Sequence, residues 1–413
     1  SKSLWSLIYI MGNVKKKINN PLNEDFKKPA IIICNHQSFL DTFSIIMQNP
    51  KLILFTNKWV WNSPVFGGIV RLADYYYVAN GAEGSSELLQ DRVNNGYSVL
   101  IFPEGTRSTD GAVHRFHKGA FYLAEQLNLD ILPIIIHGNG YTMSKGDFLL
   151  KDGHLTFQYL TRIKPDDTTF GIGYAERTKK ISRYFKEQYA IVKNELEQTT
   201  YFRERLIYNY IYKGPTLEWY MKVKVSLEKN YQPFHELVPM QGKILDIGCG
   251  YGFMCYMLHF AGPERELTGI DYDEEKIATA NNCYEKDALI NFEYANVMEY
   301  AFNQYDCIIM ADMLHYLRPE QQTIIIQKCI DSLNEGGTLI IRDGNADLEK
   351  RQKGTKLTEV FSTKIFGFNK VTADGLFFLS GSFIKNIAAK NNLHCTEIDQ
   401  SKFTSNIVFV LKK

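Results

Sequence analysis

Short, unbroken apolar runs recur along the first half of the chain, each closed by a turn residue and followed by a stretch of helical period. The runs at 30–34, 52–56, 75–78, 98–102 and 131–136 read as strands, with 155–163 closing their sheet. Between them, 39–48, 84–95 and 118–127 read as helices. A long charged segment, 175–199, carries apolar residues at Ile181, Tyr184, Tyr189, Ile191 and Leu196 and ends the first half as a helix. The second half resumes the alternation, with strands at 243–247, 267–270, 339–342 and 407–410 and helices starting near Phe253 and at 381–391. Strand alternating with helix predicts an α/β fold. Two domains are expected, 1–200 and 241–413, joined by a lead-in at 201–240. That lead-in is too aromatic for a flexible linker: Tyr201, Phe202, Tyr208, Tyr210, Tyr212, Trp219 and Tyr220 fall in it. Helical segments are expected on both sides of Gly214-Pro215, either as a cap on the second site or as an interdomain packing surface.

Composition narrows the classes. The 413 residues are 45% hydrophobic and 23% charged, which excludes disorder. Residues 1–200 hold 23 basic against 19 acidic groups, and 201–413 hold 24 against 27. That split is too small for a nucleic-acid partner, but it suits a first half that faces anionic lipid or an acidic carrier protein. Seven cysteines without a CxxC pair, and no histidine cluster at ligand spacing, argue against a disulfide framework or a metal site. Cys34, Cys249 and Cys307 lie in or beside apolar runs and read as packed thiols. The chain opens on Ser1 rather than methionine, which leaves room for residues upstream. An apolar patch (Leu4, Trp5, Leu7, Ile8, Ile10, Met11) precedes Lys15-Lys16-Lys17 and is too short to span a bilayer. It reads either as an amphipathic helix in the membrane interface or as a helix docked on the first domain. No transmembrane helix is expected, and the chain is expected in the cytoplasm, peripheral on the inner face of the membrane.

Candidate chemistry gathers at Asn35-His36-Gln37-Ser38-Phe39-Leu40-Asp41 and Phe102-Pro103-Glu104-Gly105-Thr106-Arg107-Ser108. On one helix His36 and Asp41 would stand about 140° apart. They can meet only if His36 lies in the turn after the first strand and Asp41 on the helix that follows. The carboxylate would then hold one imidazole nitrogen and leave the other to take a proton. In the second stretch an apolar strand ends in a polar turn, where Arg107 offers a fork of donors for phosphate or carboxylate. Together the two stretches resemble the glycerolipid acyltransferase family, whose NHxxxxD block is matched by Asn35, His36 and Asp41. Its FPEGTRS block is matched from Phe102 to Ser108.

The resemblance covers residues 1–200. It implies His36 as general base on an acceptor hydroxyl, Asp41 as its orienting partner, and Glu104, Gly105, Thr106, Arg107 and Lys58 at the acceptor. The donor would be a thioester on coenzyme A or acyl carrier protein. Pro64 with Gly67-Gly68, Phe116-His117-Lys118-Gly119 and Ile131–Ile135 also fit the family. One position departs from it. After Tyr75-Tyr76-Tyr77-Val78 the family's phosphate-holding arginine is replaced by Ala79-Asn80. Arg71, Lys58 or Lys118 are the cations left to substitute, and the expectation moves toward an acceptor without phosphate.

A second centre begins where the apolar strand Lys243–Ile247 runs into Gly248-Cys249-Gly250-Tyr251-Gly252. Such a turn lets a ligand approach the backbone. The next strand ends at Asp271, about 20 residues on, where a carboxylate can accept both hydroxyls of a ribose. No lysine follows the glycines, so a P-loop is excluded, while dinucleotide binding stays open on these residues. ILDIGCGYG, GIDYD, YDCIIMADMLHYL and LNEGGTLIIRD resemble successive blocks of the class I S-adenosylmethionine-dependent methyltransferases. By that resemblance Asp246, Gly248 and Gly250 meet the amino-acid end of the cofactor and Asp271 the ribose. Tyr272, Asn296 and Val297 lie by the adenine, and Asp312 with Met313 lines the cofactor. His315 reads either as a base for a phenol or hydroxyl or as a packing residue. Phe361, Phe366, Phe368, Phe377 and Phe378, within the 353–378 insertion, read as an apolar lid.

The expectation is a bifunctional enzyme. Its first half would esterify a lipid or phenolic hydroxyl. Its second half would methylate a lipid-like or aryl substrate. The pairing resembles enzymes of aryl polyene and flexirubin-type pigment lipids. The alternatives are a 1-acylglycerol-3-phosphate acyltransferase fused to a lipid methyltransferase, or one half acting only as a carrier-protein or lipid binding module.

Overall fold

The computed structural model describes residues 14–49, 51–56, 75–77, 86–146, 150–347, 375–399 and 406–413. The chain divides into two compact α/β units, one ending at Leu196 and the other beginning at Glu197. Each has its own sheet and core.

In the first unit the strands are β1 (Val14–Asn19), β2 (Ala30–Cys34), β3 (Leu52–Thr56), β4 (Tyr75–Tyr77), β5 (Ser98–Ile101), β6 (Asp130–His137) and β7 (Gly153–Tyr159). They lie in the order β1-β7-β6-β2-β5-β3-β4. β2 sits at the centre, parallel to β5 and β6, and every residue in it is buried. That explains its unbroken apolar run: a strand covered on both faces does not alternate. Ile31 and Ile33 join Val99, Phe121 and Phe185 on one face, and Ile32 and Cys34 join Ile45, Leu132 and Phe157 on the other. The helices are α1 (Leu40–Gln48), α2 (Ser86–Asn94), α3 (Gly119–Gln126), the single turn α4 (Asn139–Thr142) and α5 (Gly173–Leu196).

Two expectations need correction here. Lys15-Lys16-Lys17 is not the tail of a helix. It forms half of β1, an edge strand parallel to β7, with all three lysines exposed. An edge strand lined with lysines resists pairing with another chain. The apolar patch before it, 4–11, lies outside the described residues. In α5 the buried stripe is Ile181, Phe185, Tyr189 and Val192, whereas Ile191 is 50% exposed. Steps of four, four and three keep one face inward, and Ile191 falls off it.

The second unit opens with α6 (Arg203–Asn209), α7 (Pro215–Leu227) and α8 (Gln232–Leu237). Phe202, Leu206, Tyr210, Leu217, Met221, Val225 and Phe234 from this lead-in belong to the unit's own core, which explains their aromatic and aliphatic character. Then follow β8 (Gln241–Ile247), α9 (Phe253–Ala261), β9 (Glu264–Asp271), α10 (Glu274–Asn281), β10 (Ile290–Tyr294), β11 (Tyr305–Ala311), α11 (Pro319–Asp331), β12 (Leu333–Gly344), α12 (Gly381–Lys390), β13 (His394–Ile398) and β14 (Asn406–Lys412). The sheet order is β10-β9-β8-β11-β12-β14-β13, parallel except for β14. The order reverses between β8 and β11, and ligands of such sheets bind in the crevice beyond the strand ends at that point. Arg265 is fully buried and donates to the carbonyls of Pro239, Val238 and Leu258 at 2.7, 2.9 and 2.6 Å. It ties the lead-in to the end of α9, and burial lowers its pKa to about 10. No helix among the described residues is long and apolar enough to cross a membrane.

Candidate active sites

In the first unit, β2 ends at Cys34 and the chain turns through Asn35–Phe39 into α1. Asn35 prolongs the sheet with its side chain, exchanging two 2.8 Å hydrogen bonds with the backbone of Ile136 on β6. This fixes the turn, and His36 projects from it with its ring stacked on Phe102, centroids 4.1 Å apart. Asp41 lies in the first turn of α1, where the helix dipole favours a negative charge. Its Oδ2 stands 3.0 Å from His36 Nδ1 and accepts from the backbone of Gln37 (2.7 Å) and Ser38 (2.8 Å). Its Oδ1 accepts from Asn139 Nδ2 at 2.7 Å. The carboxylate is fully buried, while the His36 side chain keeps 19% of its surface exposed. One end of the pair is therefore fixed and the other open.

The FPEGTRS turn is keyed to the same place. The amide of Ser108 donates to the His36 carbonyl at 2.7 Å. Glu104 accepts from the backbone of His36 (Oε1, 2.8 Å) and of His114 (Oε2, 2.7 Å). Both of its oxygens thus hold loops together, and burial pushes its carboxyl above the usual range. Gly105 has φ +70°, and a Cβ there would stand 3.2 Å from the His117 ring, so the turn admits glycine best. Thr106 is exposed. Arg107 is half-buried, and its guanidinium has no hydrogen bond or ion pair among the described residues. Lys145 donates from Nζ to the Arg107 carbonyl at 3.2 Å. Lys118 is exposed, and Lys58 and Arg71 lie outside the described residues. Asn139 and Lys145 escaped the sequence reading, because only β6 and the turn beyond it bring them to His36 and Arg107.

In the second unit, β8 delivers Asp246 to the glycine turn. Asp246 is buried: Oδ2 accepts from Cys255 Sγ at 3.2 Å, and Oδ1 has no hydrogen-bond partner among the described residues. Burial raises its pKa from 3.8 to about 7. Gly248 has φ +78°, and a Cβ there would stand 2.9 Å from Met313 Cβ, so the turn closes against the end of β11. Above Gly250, by contrast, a Cβ would meet nothing within 4 Å. Asp271, at the end of β9, accepts from Gly250 N (Oδ2, 2.8 Å) and Asp273 N (Oδ1, 2.9 Å). Tyr272 is half exposed, Asn296 is exposed and hydrogen-bonds Glu299, and Val297 is buried. A buried carboxylate oxygen left without a donor, beside open space over a glycine backbone, fits the ammonium group at the amino-acid end of a sulfonium cofactor.

Asp312 follows β11 with φ +56° and is held by an ion network. Arg342 of β12 binds both Asp312 and Glu228, Lys224 stands 3.0 Å from Glu228, and Asn406 donates to Asp312 at 3.1 Å. The Arg342 guanidinium beside Glu228 keeps that carboxyl well below its usual range despite burial. His315 and Asp343 are both buried, with Nδ1 2.7 Å from Oδ1, and Phe378 stacks on the imidazole. Asp343, Glu228 and Arg342 as partners were not foreseen. The lid expected at 353–378 lies outside the described residues up to 374. Burial raises the thiols of Cys34, Cys249 and Cys307, which suits packing rather than nucleophilic use.

Comparison with known proteins bears on both halves. Residues 13–137 match the family described as Acyltransferase, and residues 244–337 match the family described as Methyltransferase domain. A 1-acyl-sn-glycerol-3-phosphate acyltransferase of Cocos nucifera is 29% identical over 199 residues, 47% of this chain and 61% of that protein. The chain thus spans about three fifths of that relative's length. Among solved structures, the 1-acyl-sn-glycerophosphate acyltransferase PlsC of Thermotoga maritima has a TM-score of 0.41 at 20% identity, covering 46% of this chain and 77% of that one. A SAM-dependent methyltransferase of Methanosarcina mazei has a TM-score of 0.33 at 18% identity, covering 44% and 97%. The chain joins an acyltransferase domain in its first half to a methyltransferase domain in its second.

Proposed function

We propose that the first unit moves an acyl group from a thioester, on coenzyme A or acyl carrier protein, to a hydroxyl of a lipid or phenolic acceptor. The observation that carries this is the His36–Asp41 pair, buried on the aspartate side and open on the histidine side. Asp41 accepts a hydrogen bond from Nδ1–H and so fixes the tautomer, leaving Nε2 to take the acceptor's hydroxyl proton as the oxygen attacks the thioester carbonyl. Collapse of the tetrahedral adduct breaks the C–S bond, and the thiolate leaves with that proton. Glu104 acts by holding the two loops, and Arg107 with Lys145 supplies positive charge beside the acceptor. Those two cations also favour a second reading, a phosphate-bearing acceptor such as the 1-acyl-glycerol 3-phosphate named for the relative above.

The second unit methylates a lipid-like or aryl substrate with S-adenosylmethionine as donor. The cofactor supplies an electrophilic methyl group when bound. Asp246, Gly248 and Gly250 hold its amino-acid end, Asp271 its ribose, and Tyr272, Asn296 and Val297 its adenine. Asp312, engaged with Arg342, shapes the wall beyond β11. His315, oriented by Asp343, takes the proton of a phenol or hydroxyl acceptor. Transfer itself needs alignment and exclusion of water. Both reactions together fit assembly of an aryl polyene or flexirubin-type pigment lipid on the inner face of the membrane.

Untargeted mass spectrometry of lipid extracts from wild-type, His36→Ala and Asp246→Ala cells tests the proposal. Loss of a non-phosphorylated ester in His36→Ala, with the same ester unmethylated in Asp246→Ala, is expected. Loss of phospholipids in His36→Ala would favour the second reading. Unchanged extracts in both variants would overturn the proposal.

A further inference from the structure

Asn139 is fully buried and lies on α4, just beyond the end of β6. Gly138 before it has φ +95°, a left-handed turn that reverses the chain toward the His36 loop. The side-chain amide of Asn139 donates from Nδ2 to Asp41 Oδ1 at 2.7 Å, and its oxygen has no partner among the described residues. An amide with one orphaned end is oriented by the other end. Here the carboxylate of Asp41 does that, since turning the amide over would set oxygen against oxygen. The Asp41 oxygen it reaches is the one that does not face His36. Met143, one turn on, accepts from Ser38 Oγ at 2.7 Å, so α4 is fastened to the same loop twice.

We propose that Asn139 is a positioning residue for the His36–Asp41 pair: its amide immobilises the Asp41 carboxylate and, by drawing off part of its charge, sets the basicity of His36. This rests on the reading of His36 as the general base. A hydrogen bond donated to a carboxylate stabilises its charge and weakens what it offers a second donor. With Asn139 in place, Asp41 orients the imidazole without holding the imidazolium too tightly. Removing the donor leaves a more basic carboxylate beside His36, so His36 holds its proton to higher pH. Among other ionisable groups, Glu104 binds the His36 amide, His114 shares that carboxylate, Tyr189 reaches the loop at Gln37, and Cys34 ends the strand before it. None of them changes in the variants below.

The test is an NMR titration of the full chain labelled at histidine 13Cε1, with the His36 signal identified by its loss in His36→Gln. Asn139→Ala removes the donor. Asn139→Leu removes it at similar volume and keeps a water from replacing it, so the second variant also serves if the first does not fold. In either folded variant His36 should titrate about half to one pH unit above wild type. Asp41→Asn should move it the opposite way, which shows that the signal responds to its partner. An unmoved His36 midpoint in both Asn139 variants, with Asp41→Asn shifted down, would overturn the proposal. The base reading fails separately, if His36→Gln leaves consumption of palmitoyl-coenzyme A with 1-oleoyl-glycerol 3-phosphate intact while the wild type consumes it.

Discussion

Asp41 has both carboxylate oxygens engaged, three bonds on one and one on the other. Replacing it by asparagine keeps the shape, loses the charge, and sets an amide against the backbone donors of Gln37 and Ser38. Acyl transfer should fall about 10²–10⁴-fold in Asp41→Asn and in His36→Ala. The double variant should be little worse than either, because the two act as one device. Steady-state rates of the three variants check this. Asp246 carries a prediction on pH. Its carboxyl titrates near 7 when folded, against 3.8 when exposed. The folded chain therefore binds the extra proton between those values, and stability declines as pH rises through that window. Asp246→Asn should raise the melting temperature of the ligand-free protein at pH 8 and do little at pH 4. The upper bound of the effect is about 4 kcal/mol. Melting curves at the two pH values decide it.

At the scale of elements, the ion network that joins the end of α7 to β12 is the most exposed to damage. Arg342→Met leaves the part-buried carboxylates of Glu228 and Asp312 with Lys224 as the cation beside them and should cost about 1–3 kcal/mol. Glu228→Gln added to it should recover part of the loss, as denaturant titration of the single and double variants would show. What could be read in advance follows from the range of each interaction. β2 and β8 announce themselves because their apolar runs are covered on both faces. The step from His36 to Asp41 was legible because strand, turn and helix lie within five residues. β1 was not, because a strand that is half lysine shows itself only through its partner β7. Asn139 and Arg342 were hidden for the same reason, since their partners stand 98 and 114 residues away in sequence. The register of α5 was misjudged at Ile191, where an apolar residue faces water.

For the molecule as a whole, two sheets with separate cores predict two separable foldings. Cutting the chain between Leu196 and Glu197 should leave two soluble pieces that each melt cooperatively, as calorimetry of the fragments would show. An aggregated second fragment would mean that its lead-in helices depend on the first. The way the acyl-transfer loop is fastened has a further consequence. The amides of Gln37 and Ser38 donate to Asp41, and those of His36 and His114 to Glu104. None of the four belongs to a helix or a strand, yet each should exchange with deuterium slowly at neutral pD. Acid that neutralises the two carboxylates should release them while the strands stay protected. Four loop amides thereby become isotopic clocks for the integrity of the site, legible without a substrate.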